Sequence, residues 1–349
     1  MNKIKTNQND SFEYYANEVC PVCSCKSNAK IGEVYDHEYR SVDRWFSVYQ
    51  CSDCSLVYLN PRPSISELGT IYPETYYSYH LSEGNDSDMS NSTQVNNKSF
   101  VRKLFYTRNI AALTKKLLES GVDTKTLRNK EVNILDIGCG TGVQLDMFKE
   151  IFHNANTFGI EIGANACKVA SNKGHIIYNS NIEGCNLKSN YYDIIYSSHV
   201  IEHVGDPSVF FRVSNEHLSE NGVLIIETPN TNCIDFRLFK KKNWGGYHAP
   251  RHFYLFNESN MERMAKKYEF KKISSSVYPS PVFWNWTCHS ILYNSLSNKI
   301  ADYLFPPVNI FYGGVRSFLI LGFFAVFESF IIKITGKGSA FWISFRHGK

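Results

Sequence analysis

Two cysteine pairs near the N-terminus have the spacing of metal ligands. Cys20 and Cys23 form one C-x-x-C knuckle, and Cys51 and Cys54 form another. Four thiolates in this arrangement typically close a tetrahedral site around structural zinc. A redox-active pair is the alternative, but two knuckles without a thioredoxin-like context disfavour it. The spacing therefore predicts a zinc-ribbon-like domain over residues 16–60, with zinc as a structural cofactor.

A glycine-rich turn follows an apolar run at 132–137, and its sequence is Gly138-Cys139-Gly140-Thr141-Gly142. Glycines let a backbone pass close to a ligand, and in dinucleotide-binding proteins such a turn points a helix at a pyrophosphate. Here the spacing is G-x-G-x-G, and Asp136 precedes the first glycine. A carboxylate at this position would repel phosphates and suits a cationic ligand. The turn thus favours a sulfonium ligand, with a nicotinamide cofactor as the alternative.

Histidines form a second group of chemically capable residues. His199 and His203 flank Glu202 in one short segment. A reaction at a hydroxyl benefits from a base that removes its proton, and a histidine titrating near neutrality can supply that base. We therefore consider His199, His203 and His252 as catalytic candidates. Two alternatives remain: a divalent cation held by His199, Glu202 and His203, or a purely structural role for Glu202 and His203.

The long segment 231–256 also contains polar and aromatic residues. His248 and Arg251 suit a polar, ring-shaped acceptor, and Arg251 could bind a phosphate or carboxylate with both of its terminal nitrogens. A segment of this length without regular structure usually has a function. The alternative is a loop that its own aromatic residues pack.

Strands and helices alternate in the elements that must position these groups, which predicts a parallel sheet covered on both faces. The predicted strands lie near 132–137, 157–161, 175–179, 192–197 and 223–228, and the helices near 101–119, 141–151, 163–173 and 206–220. A sixth strand at 271–278 and a final one at 341–345 flank an apolar insertion.

The glycine turn, the acid that ends the second strand (Glu161), and the Glu202-His203-Val204 turn resemble motifs of class I S-adenosylmethionine-dependent methyltransferases. The resemblance implies an α/β fold with a Rossmann-like seven-stranded sheet. It also implies that Glu161 binds the ribose hydroxyls, and that Asn181 stands where the family often has an adenine-binding Asp. The implied cofactor-binding residues are Asp136, Gly138, Cys139, Gly140, Gly142, Glu161, Ile162, Asn181, Ile182 and Ser198.

The knuckles, together with Asn60-Pro61-Arg62-Pro63 and the tyrosine-rich segment after them, are similar to the N-terminal part of bacterial sugar and surface-polysaccharide methyltransferases. This similarity implies that Tyr76 and Tyr77 close over an acceptor. We therefore expect methyl transfer to a small-molecule or glycan acceptor, with a sugar hydroxyl in polysaccharide or glycolipid biosynthesis as the leading choice. Sugar C-methylation and quinone-type O-methylation are alternatives.

Composition and charge indicate which partners and which cellular location to expect. The 349 residues carry a net charge of +4 without a dense basic run, so we expect no nucleic-acid partner, and a nucleic-acid-binding zinc ribbon is a disfavoured alternative. The N-terminus lacks the apolar core of a signal peptide, so we expect a cytoplasmic protein. Residues 318–327 form an uninterrupted apolar run bounded by Arg316, Glu328 and Lys333, which suggests peripheral contact with the inner face of the membrane through residues 309–334. Core packing or an oligomer interface is the alternative.

These patterns divide the chain into six parts. The predicted parts are a flexible tail (1–15), the zinc-ribbon-like domain (16–60), a tyrosine-rich segment and polar linker (61–100), the methyltransferase core (101–280), an apolar helical insertion (281–338), and a final strand and tail (339–349).

Overall fold

The computed structural model describes residues 2–4, 12–73, 76, 95–308, 310 and 314–348. The N-terminal part contains two small antiparallel sheets. Strands β1 (Asn2–Ile4), β2 (Tyr14–Ala16) and β6 (Arg62–Pro63) form one, and β3 (Asn28–Tyr35), β4 (Trp45–Cys51), β5 (Val57–Leu59) and β12 (Tyr254–Leu255) form the other. Since β12 comes from the second half of the chain, it joins the two halves through its pairing with β5.

The end of the predicted flexible tail is part of this N-terminal fold. Strand β1 pairs with β2, and the side chains of Phe12 and Tyr14 are buried. Both rings pack on Phe46, each with its centroid 6.5 Å from that of Phe46. Burial of these two rings holds residues 12–16 in place, so the tail prediction is wrong there.

The larger sheet has seven strands in the order β13-β14-β11-β10-β7-β8-β9. Its strands are β7 (Glu131–Ile137), β8 (Asn154–Glu161), β9 (Ile176–Asn179), β10 (Tyr192–Ser198), β11 (Leu218–Pro229), β13 (Phe270–Tyr278) and β14 (Ala340–His347). Strands β7 to β11 pair in parallel. Because β14 is antiparallel to both of its neighbours, β13 points the same way as the parallel strands. The predicted α/β methyltransferase-like sheet is confirmed.

Helices precede and connect the strands of this sheet, and several of them pack on it. They are α1 (Leu68–Ile71), α2 (Val95–Glu119), α3 (Val143–Ile151), α4 (Ala164–Asn172), α5 (Pro207–His217), α6 (Ile234–Phe239) and α7 (Glu258–Lys266). Helix α2 begins six residues before the predicted position at Val101. Helix α5 starts where the sequence indicates, because the Asp206 side chain accepts a hydrogen bond from the backbone of Ser208 and Pro207 occupies the first turn.

The apolar insertion forms three helices before β14: α8 (Pro281–Ser295), α9 (Asn298–Leu304) and α10 (Gly314–Thr335). Helix α8 is largely buried, whereas α10 buries few of its side chains. Within the part of the chain that the structure describes, α10 alone is long and apolar enough to cross a membrane by length and composition, with a mean hydropathy of 2.0.

Candidate functional site

A cavity of about 300 Å³ lies at the carboxyl ends of β7, β8 and β10, where sheets of this topology place their ligands. One end is lined by the glycine turn and the residues that follow β8 and β9, and the other by two histidines and by side chains of the N-terminal part. The lining includes Gly138, Gly140, Glu161, Ile162, Asn181, Ile182, Ser198, His199, His203, Ile65, Leu68, Tyr72 and Tyr76.

The glycine turn brings bare backbone to the cavity wall. Gly138 has a φ of +78°, and a Cβ there would lie 2.3 Å from Val200 Cγ2. Gly140 has a φ of +52°, and a Cβ there would meet nothing within 4 Å. Only glycine combines these backbone angles with such close approach. The turn therefore leaves room for a ligand beside Gly140.

Glu161 lines the cavity beside the glycine turn. Its two carboxylate oxygens accept hydrogen bonds from the backbone N–H groups of Gly140, at 3.0 Å, and Gly163, at 2.7 Å. Each oxygen keeps a further lone pair that can accept a ribose hydroxyl. Ile162 beside it is 54% exposed into the cavity region, which suits an aromatic base.

Asn181 lines the same end, but its side chain already has a structural partner. The Oδ1 atom accepts the Gly184 N–H at 2.9 Å and caps the short 3-10 turn Ile182–Gly184. An adenine contact by this oxygen would therefore share an acceptor that is already bonded, so the adenine role of Asn181 stays a prediction.

Most of the predicted cofactor-binding residues line the cavity, but three do not. Cys139 is buried, and its Sγ packs against Gly159. Gly142 caps α3 and faces His175. Asp136 is buried beneath the turn. The cavity wall at the turn is formed by Gly138 and Gly140 instead of these three residues.

Asp136 lies in a region where acidic side chains accumulate. Burial raises the pKa of its carboxyl well above the ordinary value, and the negative charges of Glu161 and Glu227 raise it further. A cation bound nearby would relieve this accumulation of acids. Without a cation the raised pKa therefore favours the neutral Asp136 carboxyl, and a sulfonium ligand beside it would favour the charged form.

His199 lies on the turn after β10 and has a φ of +55°. Its Nδ1 is 3.1 Å from Glu202 Oε1, and its Nε2 is 3.3 Å from the Tyr278 hydroxyl. Burial lowers the pKa of His199, but the hydrogen bond and charge of Glu202 outweigh it, so the pKa is raised above the ordinary value. Glu202 therefore favours the protonated form of His199, which opposes a role for this ring as a free base.

His203 has the opposite character. Its Nδ1 lies 3.0 Å from the Arg251 carbonyl oxygen and 2.8 Å from the Tyr72 hydroxyl. A carbonyl oxygen only accepts, so Nδ1 carries the proton and Nε2 keeps its lone pair. Burial lowers the pKa of His203 below the ordinary value, which keeps the ring neutral. Among the three catalytic candidates, His203 best combines a place on the cavity wall with a basic nitrogen.

His252 does not line the cavity. Its Nδ1 lies 2.8 Å from the Gly246 carbonyl oxygen, and its ring meets that of His203 edge-on at 4.6 Å. Burial lowers the pKa of His252 to about 3. Its position indicates that it supports the His203 ring rather than contacting an acceptor.

Arg251 and His248 also lie away from the cavity. The Arg251 guanidinium is fully buried and bonds both carboxylate oxygens of Asp36, at 3.1 and 3.0 Å. The predicted acceptor role of Arg251 is therefore replaced by an ion pair between the two halves of the chain. His248 is buried and stacks on Trp286, with ring centroids 4.7 Å apart. The sequence could not distinguish an acceptor site from internal packing at these two residues, because aromatic and basic side chains are common in both.

The N-terminal part covers the end of the cavity beside the histidines. Tyr76 lines the cavity there, and its ring meets that of Tyr72 at 4.8 Å. Tyr77 lies outside the described residues. The sequence reasoning missed Tyr72, which bonds His203, although it belongs to the same tyrosine-rich segment. It also missed Tyr278, which contacts His199 from the end of β13.

The four knuckle cysteines come together in the N-terminal part. Cys20 and Cys54 have sulfurs 3.5 Å apart, and those of Cys23 and Cys51 are 3.4 Å apart. All four sulfurs lie within 4.8 Å of one another. Tetrahedral zinc with bonds of about 2.3 Å places its thiolates roughly 3.8 Å apart, so these sulfurs could hold such an ion.

The two knuckles have the same backbone turn. In each, the residue after the second cysteine has a positive φ, +62° at Ser24 and +61° at Ser55, and donates its N–H to the carbonyl of the first cysteine. Such matched turns direct both cysteine pairs to one point, as a shared ion requires.

Within the described residues, a second group could hold a metal ion, namely Glu202, His203 and His252. The sequence alternative had His199 in place of His252. The His252 Nε2 is 3.9 Å from Glu202 Oε1, whereas the His199 Nδ1 is occupied by the same carboxylate. His252 is thus the better third ligand if this site takes a metal.

Comparison with known proteins agrees with this geometry. The model of the methyltransferase domain family matches residues 100–275, about half of the chain. The chain belongs to this family, and the sequence-based prediction of a methyltransferase is confirmed at that level.

The curated relatives include O-methyltransferases. The malonyl-[acyl-carrier protein] O-methyltransferase of Bacillus anthracis is 28% identical over 147 residues, which cover 38% of this chain and 53% of the relative. A ubiquinone biosynthesis O-methyltransferase of Rhodopseudomonas palustris (strain HaA2) is 29% identical over 113 residues, covering 31% and 44%. The chain therefore spans about half the length of the curated relatives it matches.

Solved structures are similar at low identity. An S-adenosylmethionine-dependent methyltransferase from Archaeoglobus fulgidus has a TM-score of 0.41 and 16% identity, over 66% of this chain and 93% of its own. An O-methyltransferase from a polyketide synthase multienzyme of Brevibacillus brevis, in complex with S-adenosylhomocysteine, has a TM-score of 0.38 and 14% identity, over 62% and 66%. At these values they add no argument about function.

Proposed function

We propose that this protein transfers the methyl group of S-adenosylmethionine to a hydroxyl oxygen of a small-molecule or glycan acceptor. The observation that carries the proposal is one continuous cavity with Glu161 and the glycine turn at one end and the neutral His203 at the other. When bound, the cofactor supplies an electrophilic methyl group. Glu161, Gly138 and Gly140 are the residues that would hold it.

The chain's own residues then act on the acceptor. His203 Nε2 removes the hydroxyl proton, while its Nδ1–H stays bonded to the Arg251 carbonyl and keeps the ring in place. Tyr72 and Tyr76 cover this end of the cavity and exclude water. Glu202 favours the protonated form of His199 beside Tyr278. Because His199 lies on the cavity wall, it suits a second contact with the acceptor.

A sugar hydroxyl is the acceptor we favour. The aromatic rings of Tyr72 and Tyr76 offer flat apolar surfaces of the kind that pack on sugar faces, and both known relatives named above methylate oxygen. A sugar carbon or a quinone-type hydroxyl is the alternative acceptor atom. All three share the requirement for a base that His203 meets.

We further propose that Cys20, Cys23, Cys51 and Cys54 bind one structural zinc ion. The matched knuckle turns and the sulfur separations support this assignment. Because the first knuckle precedes β3 and the second connects β4 to β5, the ion would hold together three strands of the sheet that contains β12. Metal analysis of protein purified without chelators should give one zinc per chain, and a Cys20→Ser, Cys51→Ser double variant should contain none. A zinc-free wild-type protein would refute the assignment.

The proposed reaction is tested with S-adenosylmethionine carrying an isotopically labelled methyl group. The protein is incubated with soluble and lipid-extracted glycan fractions from the producing cells, and the labelled product is examined by NMR. We expect the label in an O-methyl group bonded to a sugar carbon. Label in a C-methyl group, or no labelled product from any fraction, would overturn the proposed acceptor chemistry.

A further inference from the structure

Helix α10 presents an apolar surface to solvent along its length. Val315, Leu319, Val326 and Phe330 are between 63% and 76% exposed. Exposed apolar side chains of the preceding segment continue this surface, which we call the α9–α10 face. It consists of Leu296, Ile300, Tyr303, Leu304, Val315, Phe318, Leu319, Phe323, Val326, Phe330 and Ile334. Arg316 of α10 lies over the Tyr303 ring of α9 at 4.7 Å, so the two helices are neighbours. A soluble domain rarely exposes this many large apolar side chains on neighbouring helices without a partner.

The opposite side of α10 is fixed to the catalytic domain. Ser317, Phe324 and Glu328 are its buried residues. The Glu328 carboxylate accepts the backbone N–H of Ser339 at 2.7 Å and of Ser280 at 2.8 Å. These serines precede β14 and α8. The middle of α10 is therefore tied to the large sheet, which is incompatible with a helix whose middle lies at the centre of a bilayer.

The charges around the α9–α10 face favour lipid over a second copy of the chain. Residues 296–338 contain four cations, Lys299, Arg316, Lys333 and Lys337, and two acids. One acid, Glu328, is buried, and the other, Asp302, pairs with Arg40 and His289. Two copies meeting through this face would bring like charges together. Anionic headgroups would instead match a cationic rim around an apolar centre.

This face lies close to the acceptor end of the cavity. His199 lines the cavity, and its ring lies 6.4 Å from that of Phe283 on α8. The next residue, Trp284, meets Phe327 of α10 edge-on at 5.1 Å. Only one turn of α8 therefore separates the histidine from the apolar helix.

We infer that the protein docks on an anionic membrane surface through the α9–α10 face, with α10 lying in the interface, and that its acceptor is the hydroxyl-bearing headgroup of an amphiphile presented there. The identity of the acceptor rests on the proposed function, whereas membrane docking does not. Docking places the cavity mouth beside lipid headgroups, so a lipid-linked acceptor reaches His203 without leaving the membrane.

Docking is tested by co-sedimentation of the full chain with phosphatidylcholine vesicles, with and without phosphatidylglycerol. We expect strong binding to the anionic vesicles and weaker binding at high salt. A Val326→Asp, Phe330→Asp double variant should lose the binding, since both side chains face solvent and their change leaves the core intact. Ile176→Asp is the matched control. It also replaces an exposed apolar residue, at the strand on the far edge of the sheet, and should bind as wild type does.

Three outcomes overturn the inference. The first is wild-type protein that stays in the supernatant with both vesicle types. The second is a double variant that still sediments. The third is a wild-type dimer in solution that the double variant dissociates, which would make the face an interface between copies.

Calorimetric titration of the same samples with S-adenosylmethionine separates this test from the proposed function, because vesicle binding requires no cofactor. If the acceptor is a lipid headgroup, we expect the labelled methyl group in the lipid-extracted fraction. Label found only in a water-soluble product would overturn the proposed lipid acceptor. Membrane docking would then be decided by the sedimentation result alone.

Discussion

Two histidines four positions apart hold their protons differently because their partners differ. The carboxylate of Glu202 faces His199, whereas a backbone carbonyl faces His203. Short local motifs predicted both histidines. The same is true of Glu161 and the glycine turn, because residues adjacent in the sequence define each of these motifs. Tyr72 and Tyr278 could not be predicted, since they reach the histidines from 131 and 79 residues away.

The acid limb of the pH–rate profile distinguishes the two histidines. A base works only above its pKa. Burial lowers the pKa of His203, so wild-type activity should persist until the pH falls below the ordinary histidine value of about 6.5. If His199 were the base, its raised pKa would move the limb above that value.

Substitution should agree with the profile. We expect His203→Asn to lower kcat by about 10²- to 10⁴-fold and to leave the affinity for S-adenosylmethionine nearly unchanged. His217→Asn, a buried histidine at the end of α5, is the control. A His203→Asn variant with wild-type turnover would remove this residue from the mechanism.

At the scale of elements, the segment between β11 and α7 joins the halves of the chain instead of lining the cavity. It contributes β12 to the sheet of the knuckles and Arg251 to an ion pair with Asp36. The strands and helices of the core were predictable from their apolar periodicity. This segment was not, because its partner Asp36 lies 215 residues away.

The buried ion pair should make a large contribution to stability. Arg251→Ala leaves the Asp36 carboxylate buried without its cation, which typically costs about 3–5 kcal/mol of unfolding free energy. Denaturant titration measures this loss. The control is Arg263→Ala, which breaks an exposed pair with Asp53 at 2.9 Å between the same two parts of the chain and should change stability little. Equal effects of the two substitutions would contradict the structural role given to Arg251.

At the scale of the whole molecule, one cavity is built from three parts of the chain. The sheet supplies the glycine turn and Glu161, the turn after β10 supplies the histidines, and the N-terminal part supplies Tyr72 and Tyr76. The apolar insertion begins where β13 ends, next to Tyr278. The sequence predicted that each part exists, but the way they meet depends on long-range packing that no local pattern records.

Calorimetric titration of the purified full chain with S-adenosylmethionine measures whether the cavity binds this cofactor, on which the proposed function depends. We expect one bound molecule per chain. Glu161→Ala should weaken binding at least about tenfold, because hydrogen bonds to a charged group each contribute roughly 1.5–3 kcal/mol. Glu119→Ala, which removes a surface carboxylate of α2, should bind as wild type does. If the wild-type protein does not bind S-adenosylmethionine, or binds a nicotinamide dinucleotide instead, the proposed function is wrong.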